Sequence, residues 1–151
     1  METTDRMKPL FVLPCSATKA PELIEGVLMP ARDAYAGQAF RMARDQLERS
    51  QAKWCILSAR YGFLWPTTPI ERYDDLMPAR IDPADWEPFE AITARQYGKL
   101  RSAGRIVVLG SRRYAAAAAA LLGRPVEAPF SGLPIGEMLK AIKAGNWLAT
   151  V

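Results

Sequence analysis

The chain has 151 residues and no histidine. That absence excludes a Ser-His-Asp triad, a Cys-His dyad and a His-x-x-x-His metal pair. Cysteine is scarce: Cys15 and Cys55 stand forty residues apart. Two cysteines cannot form a disulfide framework, and a zinc site would have to draw its other ligands from carboxylates. No apolar run reaches membrane length, and the opening Met-Glu-Thr-Thr-Asp-Arg lacks the charge pattern of a signal peptide. The expectation is a cytoplasmic chain without a membrane segment, a metal or a cofactor. Acid–base chemistry at neutral pH then falls to Asp, Glu, Lys, Tyr or Cys.

Half of the residues are hydrophobic and 24% are charged, a globular composition long enough for a hydrophobic core. The net charge is +4, with 14 Arg against 6 Lys. Arginine is a fork for phosphate and stacks on flat groups, so the balance admits an anionic or nucleobase partner, or simply a modestly basic domain.

Three continuous apolar runs, residues 9–14, 53–58 and 105–110, predict strands buried on both faces of a parallel sheet. Helical stretches lie between and after them. Residues 33–50 place Tyr35, Ala39, Phe40, Ala43 and Leu47 on one face, with Asp33 as the expected N-cap. Residues 84–101 place Trp86, Phe89, Ile92 and Leu100 among charges, with Asp82 or Asp85 as cap. Residues 112–122 carry six consecutive alanines and stop at Gly123, and residues 134–144 stop at Gly145. A short fourth strand is expected near 124–128. The region 62–83, with Pro66, Pro69, Pro78 and Pro83, reads as one long irregular loop, the kind that is usually functional. The fold class is therefore α/β: a single domain over 1–151, three-layered α/β/α, with a short parallel sheet of about four strands.

Ligands of open parallel sheets bind at the carboxyl ends of the strands. Three segments fall there: Pro14-Cys15-Ser16-Ala17-Thr18-Lys19, then Ser58-Ala59-Arg60-Tyr61-Gly62-Phe63-Leu64-Trp65-Pro66, then Gly110-Ser111-Arg112-Arg113-Tyr114. Small residues, hydroxyls and cations converge, as a pocket for a planar or phosphorylated ligand needs. Cys15 is either a nucleophile activated by Lys19 or a helix N-terminus, or a small residue in a tight turn. Lys19 suits phosphate, a base carbonyl or a Schiff base, or is a solvated surface lysine. Tyr61, Phe63 and Trp65 either stack a base or plug the core beneath their loop, and Gly62 permits a turn with positive φ. Glu71, Tyr73, Asp74 and Asp75 follow: a carboxylate there serves as a general base or pairs with Arg72 or Arg80.

Taken in order, these segments carry a pattern. A Pro-Cys-Ser-x-x-Lys turn precedes Ala-Arg-Asp-x-Tyr-x-Gly-x-x-Phe, then Leu-Ser-Ala-Arg-Tyr-Gly-Phe-Leu-x-Pro, Ile-x-x-Tyr-Asp and Ser-Gly-Leu-Pro-Ile-Gly. Over residues 9 to 140 this resembles a family of small bacterial and phage proteins related to the peroxide-stress protein YaaA. The first turn also looks like the core motif of archaeosine synthase, which modifies a 7-cyano-7-deazaguanine base in transfer RNA. The broader relatives include the uracil-DNA glycosylase-like α/β fold. The resemblance maps Cys15, Ser16 and Lys19 onto the first motif, Tyr35 and Phe40 onto the helix motif, Ser58, Tyr61, Gly62 and Pro66 onto the second-strand motif, and Tyr73 and Asp74 onto the loop after it. Two departures matter. Ala20-Pro21 follow the lysine where archaeosine synthase has Pro-Tyr, and no histidine fills the late-loop role of uracil-DNA glycosylases. The lysine-transfer activity is therefore not carried over.

The resulting expectation is a protein directed at a nucleobase, nucleotide or nucleic acid, with N-glycosidase chemistry on a modified or damaged base as one form. Lys19 would stabilise the departing base and Asp74 would position water. Cys15, Ser16, Tyr35, Ser58, Arg60, Tyr61, Gly62, Tyr73 and Gly110 would line the substrate site. The alternative is a DNA-binding oxidative-stress protein without turnover, using its Arg-rich surface.

Overall fold

The structure is a computed structural model, and it describes residues 8–74, 77 and 94–149. The three apolar runs form strands: β1 (Pro9–Pro14), β3 (Lys53–Ser58) and β6 (Arg105–Val108). They are parallel, with β1 in the middle; Val12 sits opposite Cys55 on one side and Val108 on the other. The fourth strand is β4 (Gly62–Leu64), and it runs antiparallel to β3 in the order β4-β3-β1-β6. The expectation of an all-parallel sheet is thus corrected. Only three residues separate Ser58 from Gly62, and so short a connection can only return the chain antiparallel. Gly62 makes the reversal with a φ of 75°.

The segment expected as a fourth strand, 124–128, contributes one parallel bridge, Val107 with Glu127. Pro125 and Pro129 flank it and lack the N–H a longer ladder needs. The region from 62 is more regular than expected. After β4, the two-residue strand β5 (Pro69–Ile70) pairs antiparallel with β2 (Met29–Pro30). The Asp75, Pro78, Arg80, Asp82, Pro83 and Asp85 positions of the sequence reading lie outside the described residues. So do Trp86, Phe89 and Ile92, and the opening Met-Glu-Thr-Thr-Asp-Arg.

Helices cover both faces of the sheet. The stretch 33–50 is not one helix but two, α1 (Ala31–Ala34) and α2 (Gln38–Arg49), broken by an extended Tyr35. Asp33 lies inside α1 and caps nothing; Gly37 is the N-cap residue of α2. Then follow α3 (Ala94–Arg101), α4 (Arg112–Leu122) and α5 (Ile135–Ala144), with a closing 3-10 turn at Asn146–Ala149. The last two helices stop at Gly123 and Gly145, as their sequences predict.

Strand alternation splits the core. Phe11 and Leu13 point to one face and pack with Phe40, Ala43 and Leu47 of α2, Ile142 of α5 and Trp147. Leu10 and Val12 point to the other and pack with Leu100 of α3 and Ala115, Ala117, Ala118 and Leu122 of α4. The alanine run therefore serves close packing of α4 on the sheet. Each fully buried Leu or Phe contributes about 1.5–3 kcal/mol. Among the described residues, no helix is long and apolar enough to cross a membrane.

Candidate functional site

Beyond its last sheet pairing, β1 enters the Cys15–Lys19 loop. The Cys15 N–H bonds to the Leu57 carbonyl at 3.0 Å, which holds the loop against β3. The Ser16 hydroxyl then accepts the Gly37 N–H at 3.0 Å and donates to the Thr18 carbonyl at 3.0 Å. A serine from one loop thereby satisfies the first amide of α2, twenty-one residues downstream. Gly37 is required at this contact: a Cβ there would lie 2.3 Å from the Ser16 Oγ. The same holds at the next strand end, where a Cβ on Gly110 would lie 2.2 Å from the Pro14 Cγ.

These close approaches frame a cleft of about 460 Å³ at the carboxyl ends of β1 and β6. Cys15, Ser16, Thr18, Ser111 and Tyr114 give it polar edges, while Phe40, Leu109, Ile135, Met138 and Leu139 give it apolar walls. No Asp or Glu is among its described lining residues. Three helices begin at this cleft: α2 at Gly37–Ala39, α4 at Ser111, and α5 at Ile135. Each presents the positive end of its dipole, so the cleft favours negative charge.

Behind the cleft sits a second cluster. The Tyr35 and Tyr73 hydroxyls lie 2.5 Å apart, and the Ser58 hydroxyl donates to Tyr73 at 2.9 Å. The Ser58 Oγ in turn accepts the Arg60 and Tyr61 N–H groups, each at 3.1 Å. Ser58 is wholly buried, Tyr35 is 1% exposed and Tyr73 is 5% exposed. Tyr61 packs edge-on against Tyr73, with ring centroids 5.5 Å apart. Burial, then the nearby Cys15 sulfur, holds Tyr35 well above the ordinary phenol range; burial, then Tyr35, does the same to Tyr73. Both therefore stay neutral and act as hydroxyl donors and acceptors, never as phenolates near neutral pH.

Lys19 belongs to this buried cluster and not to the cleft's solvent rim. It is 9% exposed, its Nζ donates to the Ser16 carbonyl at 2.7 Å, and it lies 4.6 Å from the Tyr73 ring centroid. A one-residue bridge with Tyr35 fixes its backbone. A cation over a ring and against carbonyls holds its loop in shape. Cys15 joins the two parts: it lines the cleft, where its sulfur lies 3.4 Å from the Tyr114 hydroxyl, and it is close enough to Tyr35 and Tyr73 to help raise both. Burial, then Cys15, raises Tyr114 too, so it also stays protonated.

The sequence-predicted residues thus fall into three groups. Cys15, Ser16 and Gly110 line the cleft. Lys19, Tyr35, Ser58, Tyr73 and the Arg60–Tyr61 backbone form the network behind it, with Gly62 shaping the turn. Asp74 is exposed, and no hydrogen bond or ion pair ties its side chain to either group among the described residues. Phe63 and Trp65 both pack on the face covered by α3 and α4, Trp65 toward the end of the sheet where the strands begin, whereas Tyr61 packs on the other face. The three aromatics of the 61–65 segment therefore do not share one stacking surface. Tyr114 and Ser111 stood in a strand-end segment, and Ile135 in the Ser-Gly-Leu-Pro-Ile-Gly element, yet none was among the predicted site residues.

A profile for a family of unknown function, DUF6884, matches residues 10–144. The chain belongs to that family. No curated protein and no solved structure matches it. The DUF6884 stretch contains every described lining residue of the cleft and the whole tyrosine–serine network.

Proposed function

We propose that this DUF6884 protein acts on a nucleobase held in the cleft at the carboxyl ends of β1 and β6, as an N-glycosidase or related base-processing enzyme. The observation that carries this reading is the convergence of three helix N-termini on a cleft with hydroxyl and thiol edges, apolar walls and no carboxylate among its described lining residues. Breaking a glycosidic bond leaves negative charge on the departing base, and fixed dipoles aimed at that charge are the main way proteins stabilise it. The apolar walls suit a planar ring, and Ser16, Ser111 and neutral Tyr114 offer donors and acceptors to its edge. Cys15 and Tyr114, the thiol and the neutral phenol at the cleft, take the place expected from the sequence for Lys19 and Asp74; Lys19 positions the loop from behind.

The resemblance to YaaA-related proteins and to the uracil-DNA glycosylase-like fold supports the same substrate class. A cytoplasmic setting accords with it. Exposed Arg112 at the start of α4 offers a phosphate contact beside the cleft, which favours a base still attached to nucleic acid.

The test is base release from oligonucleotides carrying oxidised or otherwise modified bases, followed by chromatography, for wild type, Cys15→Ser, Tyr114→Phe and Asp74→Asn. The reading expects release by wild type, loss of at least tenfold in Tyr114→Phe, and unchanged release in Asp74→Asn. Saturable binding of the same oligonucleotides without release would establish the non-catalytic alternative. Neither binding nor release, or equal release by every variant, would overturn the assignment of the cleft.

A further inference from the structure

A second cleft opens at the other end of the sheet, where β1, β3 and β6 begin. It measures about 620 Å³, and its described lining includes Lys8, Lys53, Lys99, Trp54, Trp65 and Leu100. Three of the chain's six lysines therefore meet around one hollow. No Asp or Glu is among its described lining residues. None of the three lysine side chains makes a hydrogen bond or an ion pair among the described residues. The nearby turn at 101–104 has already committed its carbonyls: the Arg124 guanidinium donates to those of Arg101, Ala103 and Gly104. Those carbonyls thus face another cation and cannot neutralise the lysines. Trp65 is half-buried and has no aromatic partner among the described residues, unlike Trp54, which packs on Phe40.

We infer that this cleft binds a nucleoside polyphosphate, with its phosphates among Lys8, Lys53 and Lys99 and its base against Trp65. Each half of the ligand answers a separate feature. Unpaired ammonium groups of one sign raise the local anion concentration, and lysine on its flexible stem meets phosphate as a point charge without demanding one geometry. An indole face accepts any base by stacking. The hollow has the size of a small-molecule site and walls of mixed apolar and cationic character, which neither a bare phosphate nor an apolar ligand would use in full. The inference does not rest on the reading of the first cleft, which lies at the opposite end of the strands.

The experiment is titration of the full chain with ADP by calorimetry and by tryptophan fluorescence, at low and at physiological salt. Adenosine and inorganic pyrophosphate serve as half-ligands, and Lys53→Gln/Lys99→Gln, Trp65→Leu and Tyr114→Phe as variants, each checked for folding by circular dichroism. Expected are saturable ADP binding that weakens with salt, at least tenfold weaker binding in Lys53→Gln/Lys99→Gln, and no change in Tyr114→Phe. Trp65→Leu should lose the fluorescence response, and both half-ligands should bind more weakly than ADP. Because the two lysines are exposed and unpaired, their double variant folds and keeps the inference falsifiable even if Trp65→Leu does not. No saturable ADP binding, full-strength binding in the double lysine variant, pyrophosphate binding as tightly as ADP, or a single-stranded oligonucleotide displacing ADP as the preferred ligand would each overturn it.

Discussion

Replacing Tyr73 with Phe removes one oxygen atom and almost no volume, so it isolates the hydrogen-bond network behind the cleft from its packing. Tyr35 loses its partner, and Ser58 loses one of three while still accepting from the Arg60 and Tyr61 N–H groups. The Ser58 hydroxyl, which is wholly buried, no longer has the acceptor 2.9 Å away, and the Tyr35 hydroxyl, 1% exposed, loses the partner at 2.5 Å. A buried polar group left without a partner costs about 1–3 kcal/mol. With one orphaned hydroxyl, one bond lost at Ser58 and no cavity, Tyr73→Phe should destabilise the fold by about 1–3 kcal/mol. For a chain of this length that lowers the melting temperature by about 2–12 °C. Tyr35→Phe should cost about 1–2 kcal/mol, because Tyr73 keeps its bond from Ser58. The double variant should cost about 1 kcal/mol less than the sum, since the orphan hydroxyl on Tyr35 is then absent. Urea unfolding of the four proteins, fitted with a common slope, reads all three numbers. A Tyr73→Phe variant within about 0.5 kcal/mol of wild type, or a strictly additive cycle, would refute the claim that the three hydroxyls act as one network.

Two further predictions concern the frame of the site and its titration. Gly37→Ala should pry the Ser16 hydroxyl from the start of α2, where its Cβ would lie 2.3 Å away, and Gly110→Ala should collide with Pro14 at 2.2 Å. Both should lower stability by about 1–3 kcal/mol and weaken ligand binding at the first cleft, whereas Gly136→Ala, with open space around its Cβ, should do neither; chemical denaturation of the three variants checks this. Stability should also fall in alkali. Tyr35, Tyr73 and Tyr114 are raised above their ordinary value of 10.0, and Cys55 above 9.0, chiefly by burial. Above those ordinary values the unfolded chain releases protons that the folded chain keeps, so the unfolded state gains. The contribution is complete below about pH 9 and is lost progressively above pH 9–10, each group adding a slope of up to about 1.4 kcal/mol per pH unit. Urea midpoints measured from pH 7 to 11 should fall in that window, and Tyr73→Phe should flatten the fall; a flat profile would show that these groups are not buried.

Much of this was legible in the chain, and the parts that were not share a cause. The runs at 9–14, 53–58 and 105–110 read as buried parallel strands because a sheet covered on both faces needs apolar residues at consecutive positions. The alanine helix and its stop at Gly123 were equally plain. The break between α1 and α2 was not, because the group that satisfies the Gly37 amide is Ser16, far back in the chain. Helical periodicity around Tyr35 and Phe40 ran straight through the break. The placement of Lys19 behind the cleft depends on a bridge to Tyr35 that no local pattern announces. Trp65 and Tyr61 stand four residues apart in one aromatic segment, yet β4 carries them toward opposite ends of the sheet. Asp74 drew notice as a carboxylate after a proline-rich loop, and exposure was the property that its neighbours in sequence could not reveal.

The lone bridge between Val107 and Glu127 bears on how the molecule behaves in concentrated solution. An outer strand of a sheet presents free amides and carbonyls that another copy can pair with. Here β6 is such a strand, and the chain lays Glu127 alongside it, with Val108 N–H bonding to the Glu127 carbonyl at 2.7 Å and Glu127 N–H to that of Ile106 at 2.8 Å. The Glu127 carboxylate then grips Arg105 through two bonds, at 2.7 and 2.8 Å. Prolines at 125 and 129 keep this cover from becoming a new pairing edge itself. On the far side, β4 is only three residues long. Both margins of the sheet are thus closed to growth, one by a strap and one by brevity, and an apolar sheet of this kind is kept from adding strands of its own copies.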